Sequence, residues 1–267
     1  MEGVDANIPI PSNPEAREQQ GLRVNFVISN RELAILSMDP NRISSQDQGE
    51  DIAAFQNFAR RASERCYGYT AITLSEEQFF ALGGTKEEEE TFLSQMQQSN
   101  EFREIRQQTE EYLEIVKAQW QKNYPQTFQT IQEITGLDLN KEVTVNIIHP
   151  SLNTGQYRRN NTVRWGHHEE WNNYSTVYLW HEILHSYLDY TDLSHAIIQL
   201  VTDNELRVRL NNRETYPPFV GHKNLIPLMH KLLPHWHAYL VNVPEDGKRD
   251  IFAFEKRLQA MPEFQEK

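Results

Sequence analysis

The sequence predicts an α+β, mostly helical fold with a small mixed sheet, and three observations carry that expectation. Apolar residues recur at helical spacing in long stretches, above all from Phe102 to Trp120 and from Tyr174 to Leu188. Short runs rich in β-branched residues, such as Glu142 to Ile148, interrupt them. With 267 residues, 38% hydrophobic and 24% charged, the chain is long enough for one globular domain or two small ones.

Taken in order, Leu22 to Ile28 alternates like a strand and is expected to join the sheet containing 142–148. Arg31 to Met38 and Ile52 to Arg65 read as helices. Gly83-Gly84 breaks the pattern, and Glu87 to Glu90 opens a helix with acidic residues that suit its N-terminal dipole. Phe102, Ile105, Tyr112 and Val116 then mark one helix face up to Trp120, and Tyr124-Pro125 is expected to bend or end that helix. Asn140-Lys141 and Pro150 bound the strand at 142–148. Ser151 to Tyr157 has turn chemistry, and Thr162 to Trp165 is a second short strand. His167-His168-Glu169-Glu170 reads as a polar loop leading to a helix that starts at Asn173 or Ser175. A further helical pattern runs from Asp192 or Ser194 to Leu210. No internal repeat is visible. A soft division separates a mainly helical portion, 1–98, from a portion beginning at Ser99, 99–267.

The net charge is −12 with a pI near 5.3, and Lys and Arg are scattered, which argues against nucleic acid as a partner. No run approaches the ~20 apolar residues of a membrane span. Cys66 is the only cysteine, so neither an intrachain disulfide nor a thiolate zinc site is available. Met1 to Gln20 is polar and proline-punctuated, unlike a signal peptide. Localisation and oligomeric state stay open.

The chemistry concentrates in His181-Glu182-Ile183-Leu184-His185, an HExxH motif. On a helix, His181 and His185 lie only about 40° apart around the axis, so both imidazoles can reach one Zn²⁺. Glu182 stands beside that line, where it can act as general base on a metal-activated water without occupying a coordination position. Tyr174, Val177, Tyr178, Leu184 and Leu188 form an apolar stripe that contains both histidines, which supports helical presentation.

A catalytic zinc takes three protein ligands and keeps a fourth position open. A metzincin would have glycine at 188 and histidine or aspartate at 191; Leu188 and Thr191 stand there instead. Asp192 and His195 follow, but where the first helix is ending. On the second helix, Ile197, Val201 and Val208 mark a buried stripe, and Glu205 falls on it. A carboxylate on a core face calls for a cation.

His181, Glu182, His185 and the pair Asn204-Glu205 together resemble the gluzincins, the thermolysin-like zinc peptidases. The resemblance implies a zincin-like fold, an HExxH helix followed by a second, Glu-bearing helix, and zinc held by His181, His185 and Glu205. It implies a zinc metallopeptidase acting on a peptide or protein substrate, with Glu182 as general base. It also implies that the strand just before the motif, Thr162 to Gly166, is an edge strand that pairs with extended substrate. Arg209 stands where such enzymes place an acidic residue that orients a zinc-bound histidine. Asp189 and Asp203 are the candidates to replace it. Tyr216 and His222, in a loop-like stretch, are candidate donors to the oxyanion. The alternative is a zincin-fold binding or scaffolding protein that keeps its metal without peptidase turnover.

Overall fold

The computed structural model describes residues 21–37, 57–58, 86–211, 220–242, 244 and 247–264. The helix expected at Ile52 to Arg65 lies largely outside the described residues, and Tyr216 lies wholly outside them. The architecture is α+β and mostly helical. Strand β1 (Arg23–Val27) and helix α1 (Asn30–Ser37) are followed by α2 (Lys86–Gln97) and the 36-residue α3 (Asn100–Thr135). Next come β2 (Glu142–Ile147), β3 (Thr154–Arg158), β4 (Thr162–Gly166) and α4 (Tyr174–Leu184), which carries the motif. Helix α5 (Asp192–Gln199) runs through a π-helical segment (Leu200–Leu206) into α6 (Arg207–Leu210), and α7 (Ile226–Val241) and α8 (Ile251–Gln259) close the chain.

The four strands form one sheet in the order β1-β2-β4-β3. β1, β2 and β4 are mutually parallel, while β3 runs antiparallel to β4. The expected pairing of 22–28 with 142–148 is present, with Val24 opposite Val143 and Phe26 opposite Val145. Two expectations need correction. Ser151 to Tyr157 is a single 3-10 turn (Pro150–Leu152) followed by β3, not a loop throughout. Consequently β4 lies inside the sheet, and β3 is the edge strand on that side, with β1 at the other edge. The reason is a tight hairpin: Arg158 pairs with Thr162, and in the three-residue loop between them Asn160 and Asn161 both adopt positive φ, 61° and 52°, a backbone that asparagine tolerates.

Helix α3 also continues through Pro125, which the sequence placed at a bend or end. Proline removes one intrahelical hydrogen bond and costs about 3 kcal/mol in a helix interior. Tertiary packing on both sides outweighs it. Trp120 and Tyr124 pack on Trp180 of α4, with ring centroids 5.3 and 6.4 Å apart, and Tyr124 donates to the Leu22 carbonyl. Ile131 and Ile134 are fully buried one turn and more beyond the proline. Gly136, at φ 70°, caps the helix.

The two faces of the sheet differ in chemistry. Val143, Val145, Val163 and Trp165 point into the main core shared with α3 and α4. On the opposite face Asn146, Arg158 and Arg164 converge on Glu32 of α1. Gly155 marks a close approach between sheet and motif helix: a Cβ there would lie 2.7 Å from the Trp165 ring and 3.3 Å from Glu182. Trp165 is buried and tied to Ser175, so it has nowhere to retreat. Gly155→Ala is therefore expected to destabilise the protein by about 1–3 kcal/mol, the usual cost of overpacking. Denaturant unfolding checks this, and an unchanged midpoint would contradict the contact.

Candidate metal centre

Helix α4 begins in a backbone arranged by other elements. Asn173 occupies the N-cap position in left-handed conformation without a side-chain cap bond. Its role is taken over by Glu169, which accepts from the Ser175 N–H at 3.1 Å, and by Gln119 of α3, which accepts from the Thr176 N–H at 2.8 Å. The polar run 167–170 is a loop, as expected, and anchors the helix that presents the motif. Helical hydrogen bonding ends at Leu184, and His185 keeps helical backbone angles as the C-cap. His181 and His185 consequently face the same side, 3% and 8% exposed.

The third residue they meet is His195. One ligand atom from each of His181, His185 and His195 lies within 4.8 Å of the other two, so this group can hold a metal ion. The His181 and His195 Nε2 atoms are 3.1 Å apart. Two nitrogens bound to one tetrahedral ion at about 2.0–2.1 Å stand about 3.3–3.4 Å apart, so the pair already has near-ligand spacing. Thr191 makes this placement. Its hydroxyl accepts from the Ser194 N–H and caps α5, so the chain turns back and His195 enters on the first turn of the new helix.

Behind His181 stands Asp203. Its Oδ1 accepts from His181 Nδ1 at 2.9 Å and from the Thr202 hydroxyl at 2.9 Å. With the proton held at Nδ1, the Nε2 lone pair points into the cluster, the state a metal requires. Of the two candidates for this task, Asp203 performs it. Asp203→Asn is expected to weaken metal affinity by about 10–100-fold while leaving the fold intact. Competition with a chromophoric chelator measures it.

The group that could hold an ion contains His195 and not Glu205, the residue expected as third ligand. The Glu205 carboxylate accepts from Arg209 Nε at 2.7 Å, one helical turn on, and Arg209 also bridges to Glu133. The cation that buried Glu205 called for is thus a guanidinium. The physical cause is the π-helical segment, whose wider turns close hydrogen bonds from i to i+5. Beyond Leu200, each residue arrives rotated from its place on a uniform 3.6-residue helix. Asp203 reaches His181, and the Glu205 carboxylate meets Arg209. Asn204 compensates the altered ladder by donating to the Gln199 carbonyl at 2.8 Å.

Asn204 also exchanges contacts with the Val220 backbone, donating to its carbonyl at 3.3 Å and accepting from its N–H at 3.4 Å. Gly221 follows at φ 145°, where a side chain would run into Gln199. This clamp delivers His222 to the mouth of the site. Its ring centroid is 4.7 Å from that of His195 and 6.5 Å from that of His181, and the residue is exposed.

Electrostatics suit a cation. Burial, then the neighbouring imidazoles, push His185 down to about 3 and His195 down to about 4, so both are neutral imidazoles at neutral pH. Burial also opposes charge on His181, but the Asp203 carboxylate and its hydrogen bond outweigh it and the net shift is upward. His185 Nδ1 is buried without a hydrogen-bond partner, so the protein alone does not compensate this imidazole. Glu182 is shifted up, chiefly by burial, against the lowering effects of His181 and of the Tyr157 N–H, which donates to its Oε2 at 2.6 Å.

No family model, curated protein or solved structure matches this chain. The ligand group of three histidines also departs from the two histidines and one glutamate that the gluzincin resemblance implies. His195 was legible in one respect: a histidine within the first turn after a capping Thr191. The remaining histidines lie elsewhere. His149 pairs with Gln108 and caps the 3-10 turn, and His235 faces Glu263 on α7.

Proposed function

We propose that the chain is a zinc-dependent metallopeptidase in which His181, His185 and His195 hold the ion. The observation that carries the reading is the convergence of these imidazoles beside a buried glutamate from the same HExxH helix. Three nitrogen ligands with an open fourth side is a catalytic zinc arrangement. When bound, zinc supplies a Lewis acid that acidifies water and polarises a carbonyl oxygen.

The chain's own residues do the rest. Glu182 accepts a proton from the attacking water on its carboxylate and hands it to the leaving amine. Its burial raises its affinity for that proton, and the Tyr157 N–H keeps the carboxylate oriented. His222, at the exposed side of the cluster, is placed to donate to the oxygen that gains negative charge. The substrate backbone adds as a further strand along β3. Alternate residues of an antiparallel edge strand turn their N–H and C=O groups away from the partner strand; on that side of β3 the Tyr157 N–H is already bonded to Glu182, so the added strand pairs through the other outward groups.

Purified protein loaded with zinc is expected to cleave members of a broad peptide library, to stop on chelation and to resume on re-addition of zinc. Absence of cleavage by the zinc-loaded protein would leave the binding or scaffolding alternative in its place.

A further inference from the structure

A cavity of about 660 Å³ opens over the edge of the sheet, lined by Glu32, Gln156, Tyr157, Arg158, Arg159 and Tyr190 among others. It is one ring away from the histidine cluster. Tyr190 stacks on His185 with centroids 5.4 Å apart and planes 5° from parallel, and lies 6.2 Å from Tyr157. Tyr157, in turn, is the residue whose N–H holds Glu182.

The charge in this cavity is unlike that of the chain, whose net charge is −12. The one carboxylate in its wall, Glu32, is already taken up by Arg158, Arg164 and Asn146. Arg159 has no carboxylate partner among the described residues. The wall therefore offers a spare guanidinium in the same cavity as two phenol rings, just past the end of the strand along which a peptide would lie. A guanidinium matches a carboxylate by two parallel N–H donors, and a neighbouring apolar ring surface strengthens that bond by reducing solvation.

We propose that this cavity is a substrate subsite that binds a carboxylate of the peptide, with Arg159 as its principal partner and Arg158 as the second. The proposal rests on the peptidase reading and gives its substrate class. Two sources supply such a group: an aspartate or glutamate side chain, which means cleavage beside acidic residues, or the terminal carboxylate, which means trimming from the C-terminal end. A peptide stretched along β3 turns successive side chains to opposite faces, so one set passes over Tyr157 and Tyr190 and the other over Gln156 and Arg158.

The test uses the full chain with zinc and the substitution Glu182→Gln, so that peptides stay intact while binding is measured by calorimetry. Three N-acetylated peptides of otherwise equal sequence are compared: a central glutamate with amidated C-terminus, a central glutamine with amidated C-terminus, and a central glutamine with free C-terminus. The glutamate peptide is expected to bind about tenfold more tightly than its amidated glutamine counterpart, and adding Arg159→Gln is expected to erase the difference. If instead the free terminus brings the tenfold gain, and Arg159→Gln erases it, the carboxylate is the terminal one. Equal or undetectable binding of all three, or a preference that survives both Arg159→Gln and Arg158→Gln, overturns the subsite. Turnover of the same peptides by the zinc-loaded protein with Glu182 intact is scored separately. Its absence sinks the peptidase reading, whereas the binding comparison judges the subsite alone.

Discussion

Replacing His195 by alanine is expected to empty the metal centre, whereas Glu205→Gln is expected to leave it loaded. In the proposed site three imidazoles supply all the protein donors, so loss of one leaves only His181 and His185, which no longer complete the tetrahedral set. Metal content after dialysis should fall from about one equivalent to less than about a tenth. Glu205→Gln instead removes the carboxylate that Arg209 Nε contacts at 2.7 Å, which loosens α6 without touching the cluster. Elemental analysis of the two variants, with circular dichroism to confirm folding, separates the two ligand sets. Metal lost from Glu205→Gln and kept by His195→Ala would reverse the assignment.

Glu182→Gln is expected to lower kcat/KM by about 10²–10⁴-fold, the range for removing a positioned general base. The amide keeps an oxygen for the Tyr157 N–H, so the helix and the edge strand should hold their places. Metal content and thermal unfolding should match the unsubstituted protein. That combination, chemistry lost with metal and fold retained, distinguishes proton transfer from a role in binding the ion. A fully active Glu182→Gln protein would remove the glutamate from the mechanism.

Much of the candidate site was legible because it is local. The HExxH spacing alone puts two imidazoles and a carboxylate on adjoining positions of one helix, whatever the rest of the chain does. Asp203 was legible as one of two candidates to orient a histidine. His195 is hidden in the sequence because it follows the end of the motif helix. That ending is what allows Thr191 to start a new helix and bring the imidazole back. Glu205 was favoured because a stripe counted at 3.6 residues per turn carries it to the core side. No periodicity reveals a π-helical segment in advance, since its cost is met by long-range contacts such as Asn204 with Val220.

The fold divides in the same way. β1, β2, α1 and α2 follow from alternation, β-branching and end signals carried by their own residues. The passage of α3 through Pro125 does not, because the aromatic packing that offsets the proline comes from Trp180, which lies far along the chain. Nor does the edge position of β3, which depends on two asparagines in left-handed conformation folding the strand back on β4.

Local spacing alone sets two histidines and a glutamate on one helical face, since 3.6-residue geometry acts between near neighbours. Which third side chain comes beside them, and which strand borders the site, depends on how distant segments pack. Those choices hang on where one helix stops, how the next one is wound and which distant rings pack against them. Such effects are sums over contacts between segments, and no short stretch of chain contains them.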